Sequence, residues 1–325
     1  LSTAQIGINA HLPASYESNN SEIVSISSRS SLKAESAAKE HGIPRWYGSY
    51  QEQLDDPHVD AIVNCLPNGM HAEWTIKAAE SGKHILCEKP LAVSAEECRK
   101  MIDAANANSV VLVEAFTHRW NPHLRLARKL IADGEIGEVR TLDAALCFNI
   151  IEPEGNVRFS KELIGGALWD AGCYAVYAIR FVMSDEPVEV LGMSNDSGNW
   201  GVDTTFSGIL RFTNGAIGNI TTNMEQPFRC FITIDGSKGR IEIPSMFDDS
   251  GPILIKRGDG RNGERTETIA TPAPYRFVVQ FDEFSECVLS GKKPEFPPED
   301  GLRNTAVIEA LYKSASSRAP VLLDL

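Results

Sequence analysis

Residues 71–90, HAEWTIKAAESGKHILCEKP, decide the fold. His71 to Ser81 reads as a helix, Gly82 as its C-terminal cap, and Lys83 to Glu88 as an apolar strand. Upstream lies a second apolar strand, Asp60 to Leu66. Downstream, Ser94-Ala95-Glu96-Glu97 is a capping box for a helix reaching Ala107, and Val110 to Ala115 is a third strand. Further back, residues 22–27 read as a short strand, Leu32 to His41 as a helix and Tyr50 to Leu54 as a short helix. Strands alternating with helices over short connections predict a parallel, doubly wound sheet.

The pattern changes near residue 120. After a helix from Leu124 to Ala132, strand-like runs dominate at 139–150, 188–195, 204–213, 216–224, 229–235 and 239–243. Turn signals such as Thr213-Asn214-Gly215 and Asp235-Gly236-Ser237-Lys238-Gly239 separate several of them. Helices near 275–290 and 300–316 close the chain. The expectation is an α/β protein: a doubly wound parallel-sheet domain over 1–121, then an α+β domain over 122–325 with a large, mostly antiparallel open sheet.

Composition narrows the class. The 325 residues are 42% hydrophobic and 23% charged, typical of a globular protein. No apolar run has the length of a membrane span. A formal net charge of −13 argues against nucleic acid as the main partner. Seven cysteines, several in apolar surroundings and with no C-x-x-C pair, read as buried free thiols of a reducing compartment, hence a cytoplasmic protein. No cluster has metal-ligand spacing, and no metal is expected. Leu1-Ser2-Thr3-Ala4-Gln5-Ile6-Gly7 starts without a methionine or a strand, so the first strand of the sheet is expected ahead of Leu1.

A dinucleotide fold seats pyrophosphate over its first strand–helix turn, where small residues allow close backbone approach. If Gly7 fills the third glycine position, Ser2 and Ala4 stand where glycines are usual, and Ser2 and Thr3 can donate to phosphate. At the end of the second strand, Ser28-Arg29-Ser30 replaces the carboxylate that holds a ribose 2′-hydroxyl, with Lys33 one turn later. Guanidinium and hydroxyls suit a 2′-phosphate, which favours NADP over NAD; the plainer reading is a solvated turn capping the next helix. Asn68 and His71 follow the strand 60–66 and can line the nicotinamide side, or Asn68 caps the helix beginning near His71.

Lys89 would project from the end of the strand 83–88. In Gly165-Gly166-Ala167-Leu168-Trp169-Asp170-Ala171-Gly172-Cys173-Tyr174, Asp170 and Tyr174 share a face if the segment is helical. Tyrosine has an ordinary pKa near 10, which a neighbouring ammonium lowers. Lys89, Tyr174 and Asp170 are therefore candidate catalytic residues, able to move a proton while a hydride leaves the adjacent carbon. The alternatives are a surface strand end for Lys89 and a core tyrosine for Tyr174.

Together the stretches Leu1 to Gly7, Val24 to Ser30, Asn68 to Trp74, His84 to Ala92, Val113 to Phe116 with Arg119, and Gly165 to Val176 resemble the Gfo/Idh/MocA oxidoreductases. Cys173-Tyr174 suits the branch of NADP-dependent D-xylose 1-dehydrogenases and dimeric dihydrodiol dehydrogenases. The resemblance implies a Rossmann domain and an open sheet whose exposed face mediates a homodimer or homotetramer. It also implies cofactor contacts from Ser2, Thr3, Ile6, Ser28, Arg29, Leu66, Asn68, His71, Glu88 and Ala115. The implied reaction transfers a hydride between NADP and a sugar, polyol or cyclic diol, with no nucleic acid or membrane partner. Arg119, Trp120, Phe148, Asn149, Arg158 and Trp169 are candidate substrate contacts. Thr117-His118 and Trp120-Asn121 depart from the commoner family residues around Arg119, which leaves the substrate open. A ketosugar reductase, or a non-catalytic cofactor-sensing regulator on the same fold, is the alternative.

Overall fold

The computed structural model describes residues 1–247, 251–258, 265–270 and 275–325. The chain forms two compact units, residues 1–117 with 275–302 and residues 118–274 with 303–325. The division falls at Thr117 rather than at 121. The return of 275–302 to the first unit also corrects the expectation of one domain over 122–325. The cause is apolar packing: Phe281 and Phe284, on the helix Arg276–Ser290, pack with Ala14, Leu86, Val113 and Ala115. Helical periodicity marks such a face but not the sheet it will cover.

In the first unit, β1 (Ser25–Ser27) pairs in parallel with β2 (Arg45–Tyr47). A second parallel ladder holds β3 (Ala61–Asn64), β4 (His84–Glu88) and β5 (Leu112–Ala115) in that order. Its register sets Asn64 beside Cys87 and Glu88 beside Ala115, aligning the carboxyl ends of the three strands. The helices are α1 (Leu12–Glu17), α2 (Ser31–His41), α3 (Tyr50–Leu54), α4 (His71–Glu80) and α5 (Ala95–Ala107). Ser30, Ser49 and Ser94 cap α2, α3 and α5 through their hydroxyls. Gly82, at φ +73°, follows α4 in the left-handed conformation that the sequence reading requires. Strand β2 escaped that reading because three residues are too few to show alternation. A cavity of about 130 Å³ separates the ladders, lined by Ile23, Val24 and Ile26 on one side and Ala61, Ile62 and Val63 on the other. At its rim the Leu1 amino group donates to the Val63 carbonyl at 2.6 Å.

The second unit begins with α6 (Pro122–Ala132), capped by the Asn121 side chain, and the long strand β6 (Val139–Asn149). A helix follows from Leu168 to Met183, opening with a π-helical turn (Leu168–Gly172) that continues as α7 (Cys173–Met183). The remaining strands are β7 (Glu189–Asn195), β8 (Thr205–Arg211), β9 (Ile217–Asn223), β10 (Glu225–Gly236), β11 (Gly239–Ile243), β12 (Pro252–Arg257) and β13 (Arg265–Ala270). After α8 (Arg276–Ser290) come α9 (Pro298–Ser317) and β14 (Val321–Leu322). Among the described residues one sheet has the order β13-β12-β11-β10-β6-β9-β8-β7-β14. All its pairs are antiparallel except β6 with β9. Strict alternation of buried and open positions along β8 and β9 gives the sheet one covered face. Leu191, Met193 and Ile209 are exposed on its other face. The sequence reading missed β13 because none of its positions is buried, so no hydrophobic period marks it.

Candidate active site

At the carboxyl end of the parallel ladder, polar side chains are tied to the backbone around Lys89. His71 is buried, with Nδ1 2.7 Å from the Pro90 carbonyl and Nε2 2.7 Å from that of Leu66. Burial pushes its pKa down against the pull of both carbonyls. Asn64 donates to the His71 carbonyl and to Thr75, each at 3.2 Å, so the end of β3 is bound to the start of α4. Glu88 accepts from His11 Nε2 at 2.6 Å, and its second oxygen accepts the Lys89 amide at 3.2 Å. Burial raises the Glu88 carboxyl. The His11 hydrogen bond, together with electrostatic interactions with His11, Lys89 and His71, outweighs it, so the net pKa lies below the ordinary glutamate value. Glu114 accepts the Leu91 amide at 2.8 Å, fixing the chain beyond the cis Lys89–Pro90 bond. The strand ends thus gather Leu66, His71, Glu88, Lys89 and Ala115 along one edge, where ligands of open α/β sheets lie.

The turn from Leu1 leads into a helical run that passes through a π-helical stretch, Gly7–His11, before continuing as α1. Ser2 has φ +83°, the left-handed region that favours glycine, and its Oγ accepts the Ala4 amide at 2.9 Å. Thr3 is half-buried and Ile6 exposed. Beyond β1, Ser28 is buried and accepts the Ser30 amide, while Arg29 and Lys33 are exposed. Burial raises the Tyr50 hydroxyl pKa, and the Arg29 guanidinium hydrogen-bonded to it pulls the other way. Ser30 caps α2, as the capping reading of this turn expects. Hydroxyls, a guanidinium and an ammonium, with no carboxylate in residues 28–33, fit a 2′-phosphate.

In the second unit the helix from Leu168 is buried on nearly every side. From Gly165 to Val182, only Asp170 and Tyr174 are not fully buried. They lie four residues apart, one helical turn, on a common face. Asp170 accepts from Arg158 Nε at 2.7 Å, and the Arg158 carbonyl accepts the Gly166 amide at 2.9 Å. The Asp170 carboxylate pushes the Arg158 pKa up, with a further contribution from Tyr174. The Tyr174 ring is packed by His118, 4.5 Å away between centroids, and by Phe247 at 5.0 Å. Gly172 lets the helix lie close against β9. A Cβ there would meet Leu168 Cδ1 at 2.6 Å and Thr222 of β9 at 3.1 Å.

Comparison with known proteins agrees with both halves. Residues 3–116 match the model of an oxidoreductase family with an NAD-binding Rossmann fold, and residues 124–242 match the GFO/IDH/MocA C-terminal domain. The D-xylose 1-dehydrogenase (NADP(+)) 2 of Haloferax volcanii is 35% identical over 100% of this chain and 98% of its own length. The chain belongs to the Gfo/Idh/MocA oxidoreductases. The trans-1,2-dihydrobenzene-1,2-diol dehydrogenase of Xenopus laevis is 29% identical over 93% of this chain and 91% of its own. Among solved structures, a 3-ketoreductase from Actinomadura kijaniata in complex with NADP and TDP-benzene superposes with a TM-score of 0.89. It is 27% identical and covers 96% of this chain and 95% of its own.

Within this Gfo/Idh/MocA chain the other expected substrate contacts have mixed settings. Arg119 is fully buried over the Tyr177 ring, at 5.8 Å, and Trp120 is half-buried. Phe148 packs against the cluster of Phe159, Ala167 and Met224, while Asn149 is exposed. Trp169 is buried, its ring 5.5 Å from that of Tyr312. The N-cap of α4 is Met70 rather than Asn68, which starts a short 3₁₀ turn, Asn68–Met70. Sequence reasoning missed Asn64, whose partners lie on the next helix, and His11, Glu114 and Phe247, whose partners lie farther along the chain; only the unusual Thr117-His118 pair hinted at His118. The seven cysteines are free and buried. Among the described residues there is no metal-binding cluster of His, Cys, Asp and Glu, and no helix long and apolar enough to cross a membrane.

Because the folded pKa of Glu88 is depressed, its contribution to stability is present above the ordinary carboxylate range and lost as pH falls through the folded value. Glu88→Gln is expected to cost about 1–3 kcal/mol at neutral pH and to flatten the acid side of the stability profile. Urea denaturation at a series of pH values reads both effects.

Proposed function

We propose that the chain is an NADP-dependent dehydrogenase or reductase acting on the CH–OH group of a sugar, polyol or cyclic diol, with Lys89, Tyr174 and Asp170 as catalytic residues. One observation carries the reading: a helix buried almost throughout leaves open only a carboxylate and a phenol one turn apart, beside a guanidinium. A merely structural tyrosine has no need of that setting. The names of the relatives, a D-xylose dehydrogenase, a dihydrodiol dehydrogenase and a 3-ketoreductase, support the substrate class.

NADP, when bound, supplies the hydride acceptor or donor. Ser2 and Thr3 hold its pyrophosphate at the turn ahead of the first helical run, with Ile6 alongside. Ser28, Arg29 and Lys33 bind the 2′-phosphate, while Leu66, Asn68, His71, Glu88 and Ala115 border the nicotinamide. Tyr174 takes the proton of the substrate hydroxyl as the hydride departs and returns it in the reverse direction. The guanidinium of Arg158 favours the phenolate that accepts this proton, and Lys89 is assigned to the same proton transfer. Asp170 keeps Arg158 aimed at the phenol, a role different from orienting the lysine. Arg158, Trp120 and Asn149 offer hydrogen bonds to substrate hydroxyls, with Arg119, Phe148 and Trp169 shaping the wall behind them.

The open face of the large sheet carries Leu191 and Ile209 as cross-strand partners, with Met193 and Ile217 nearby, all exposed. We assign this apolar face to a homodimer or homotetramer. Seven buried free thiols support a reducing, cytoplasmic setting.

Purified protein is expected to reduce NADP with at least one aldose or diol, followed by absorbance at 340 nm. Lys89→Met, folded and still binding NADP, should lose about 10²–10⁴-fold in kcat; turnover near the parent level would sink the assignment. Arg29→Ala should raise KM for NADP about tenfold, the equivalent of one charged hydrogen bond, and leave KM for NAD nearly unchanged. Ile209→Arg should shift the protein to a monomer in light scattering coupled to size exclusion.

A further inference from the structure

The helix that presents Asp170 and Tyr174 is fastened from outside itself. Its opening turn has no capping side chain of its own. Asp203, just ahead of β8 and 7% exposed, supplies the missing acceptors. Its carboxylate accepts the Leu168 amide at 2.9 Å, and its carbonyl accepts that of Ala167 at 2.8 Å. The other carboxylate oxygen accepts the Tyr312 hydroxyl of α9 at 2.6 Å. Gly166 fits beneath this pair at φ +118°. A Cβ there would lie 2.3 Å from Asp203 Oδ1 and 2.9 Å from the Tyr312 hydroxyl. The Gly166 carbonyl in turn accepts the Asp170 amide at 3.0 Å.

We propose that Asp203 and Tyr312 form a positioning pair that sets the orientation of Asp170 and Tyr174 by gripping the backbone of residues 166–168. This rests on the catalytic assignment above. Neither residue is offered as a contact to substrate or cofactor. An ionised carboxylate at a helix N-terminus makes charge-assisted hydrogen bonds and complements the positive end of the helix, so the grip is firmest when Asp203 is charged. A slackened grip lets Asp170 drift from Arg158 and Tyr174 from its reacting geometry, where small displacements cost large factors in rate.

The pair also makes the site sensitive to pH. Burial raises the Asp203 carboxyl to about 6 against the hydrogen bonds of Tyr312 and the backbone amides. Lys161 and Asp196 line the same pocket as Asp203 and Tyr312, Cys173 lies near Tyr312, and Arg158 and Asp170 stand on the segment being held. A folded pKa above the ordinary 3.8 means that the proton binds the folded form more tightly. Stability from this group therefore falls as pH rises from the ordinary value through the folded one. Above that pH the fold carries a charged group that costs it stability, whereas the neutral isostere would not.

Asp203→Asn and Tyr312→Phe, compared with the parent, separate positioning from structural support. With NADP and a sugar or diol that turns over, the parent kcat should show an acid limb near pH 6. Asp203→Asn should lower kcat about 10–100-fold at pH 8, change KM less than about threefold, abolish the limb and leave the melting temperature at pH 8 no lower. Tyr312→Phe, which removes a bond that lowers the Asp203 pKa, should move the limb to higher pH. An acid limb unchanged in both variants, or kcat within twofold of the parent in both, overturns the proposal. If the parent turns over no sugar or diol, the functional reading has failed instead. The pair is then judged by nitrogen NMR of Arg158 Nε–H, whose signal should shift in Asp203→Asn; an unshifted signal rejects it.

Discussion

Arg158 is bonded through both its main chain and its side chain. Its carbonyl accepts the Gly166 amide, and its guanidinium pairs with Asp170. The arginine side chain is 42% exposed, so the ion pair adds little to overall stability. Its value lies in geometry: two bonds from one residue fix where the helix begins and which way its first carboxylate points. Tyr174 follows one turn later, and His118 and Phe247 confine its ring. The chemistry proposed for the second unit depends on that short closed segment being held in one arrangement.

The first unit solves a similar problem with buried polar groups. A histidine, an asparagine and two glutamates out of water need partners, and each finds them on the backbone or on another buried side chain. His71 reaches the carbonyls of Leu66 and Pro90, Asn64 reaches that of His71, and Glu114 accepts the Leu91 amide. Glu88 is held by His11. Satisfying these groups fixes the path of the chain on both sides of Lys89. The proposed cofactor contacts and the proposed catalytic lysine therefore share one edge of the sheet, and a change at His71 or Glu88 would act on both together.

Much of this was legible in the chain. Short-range physics wrote the capping serines, the glycine after α4, the apolar strands and the spacing of Asp170 from Tyr174 into neighbouring residues. The Ser28-Arg29-Ser30 turn was readable because the absence of a carboxylate is a local fact. The three-residue β2 and the open strand β13 left no period to detect. Arg119 and Trp169 look like exposed recognition residues in sequence, yet both are buried. An arginine over a tyrosine ring or a tryptophan beside one needs a partner from elsewhere in the chain.

Sequence by itself determined the strand–helix alternation of the first unit, the two kinds of sheet, the family resemblance and the four-residue spacing of Asp170 from Tyr174. Tertiary structure alone decided that α8 covers the parallel sheet, that Asp170 pairs with Arg158, and that Asp203 and Tyr312 fasten the helix from a distance. The physical reason is range. Propensity, caps and periodicity act over a few residues, whereas the partner of a buried charge is chosen by which surfaces the fold brings within hydrogen-bonding distance.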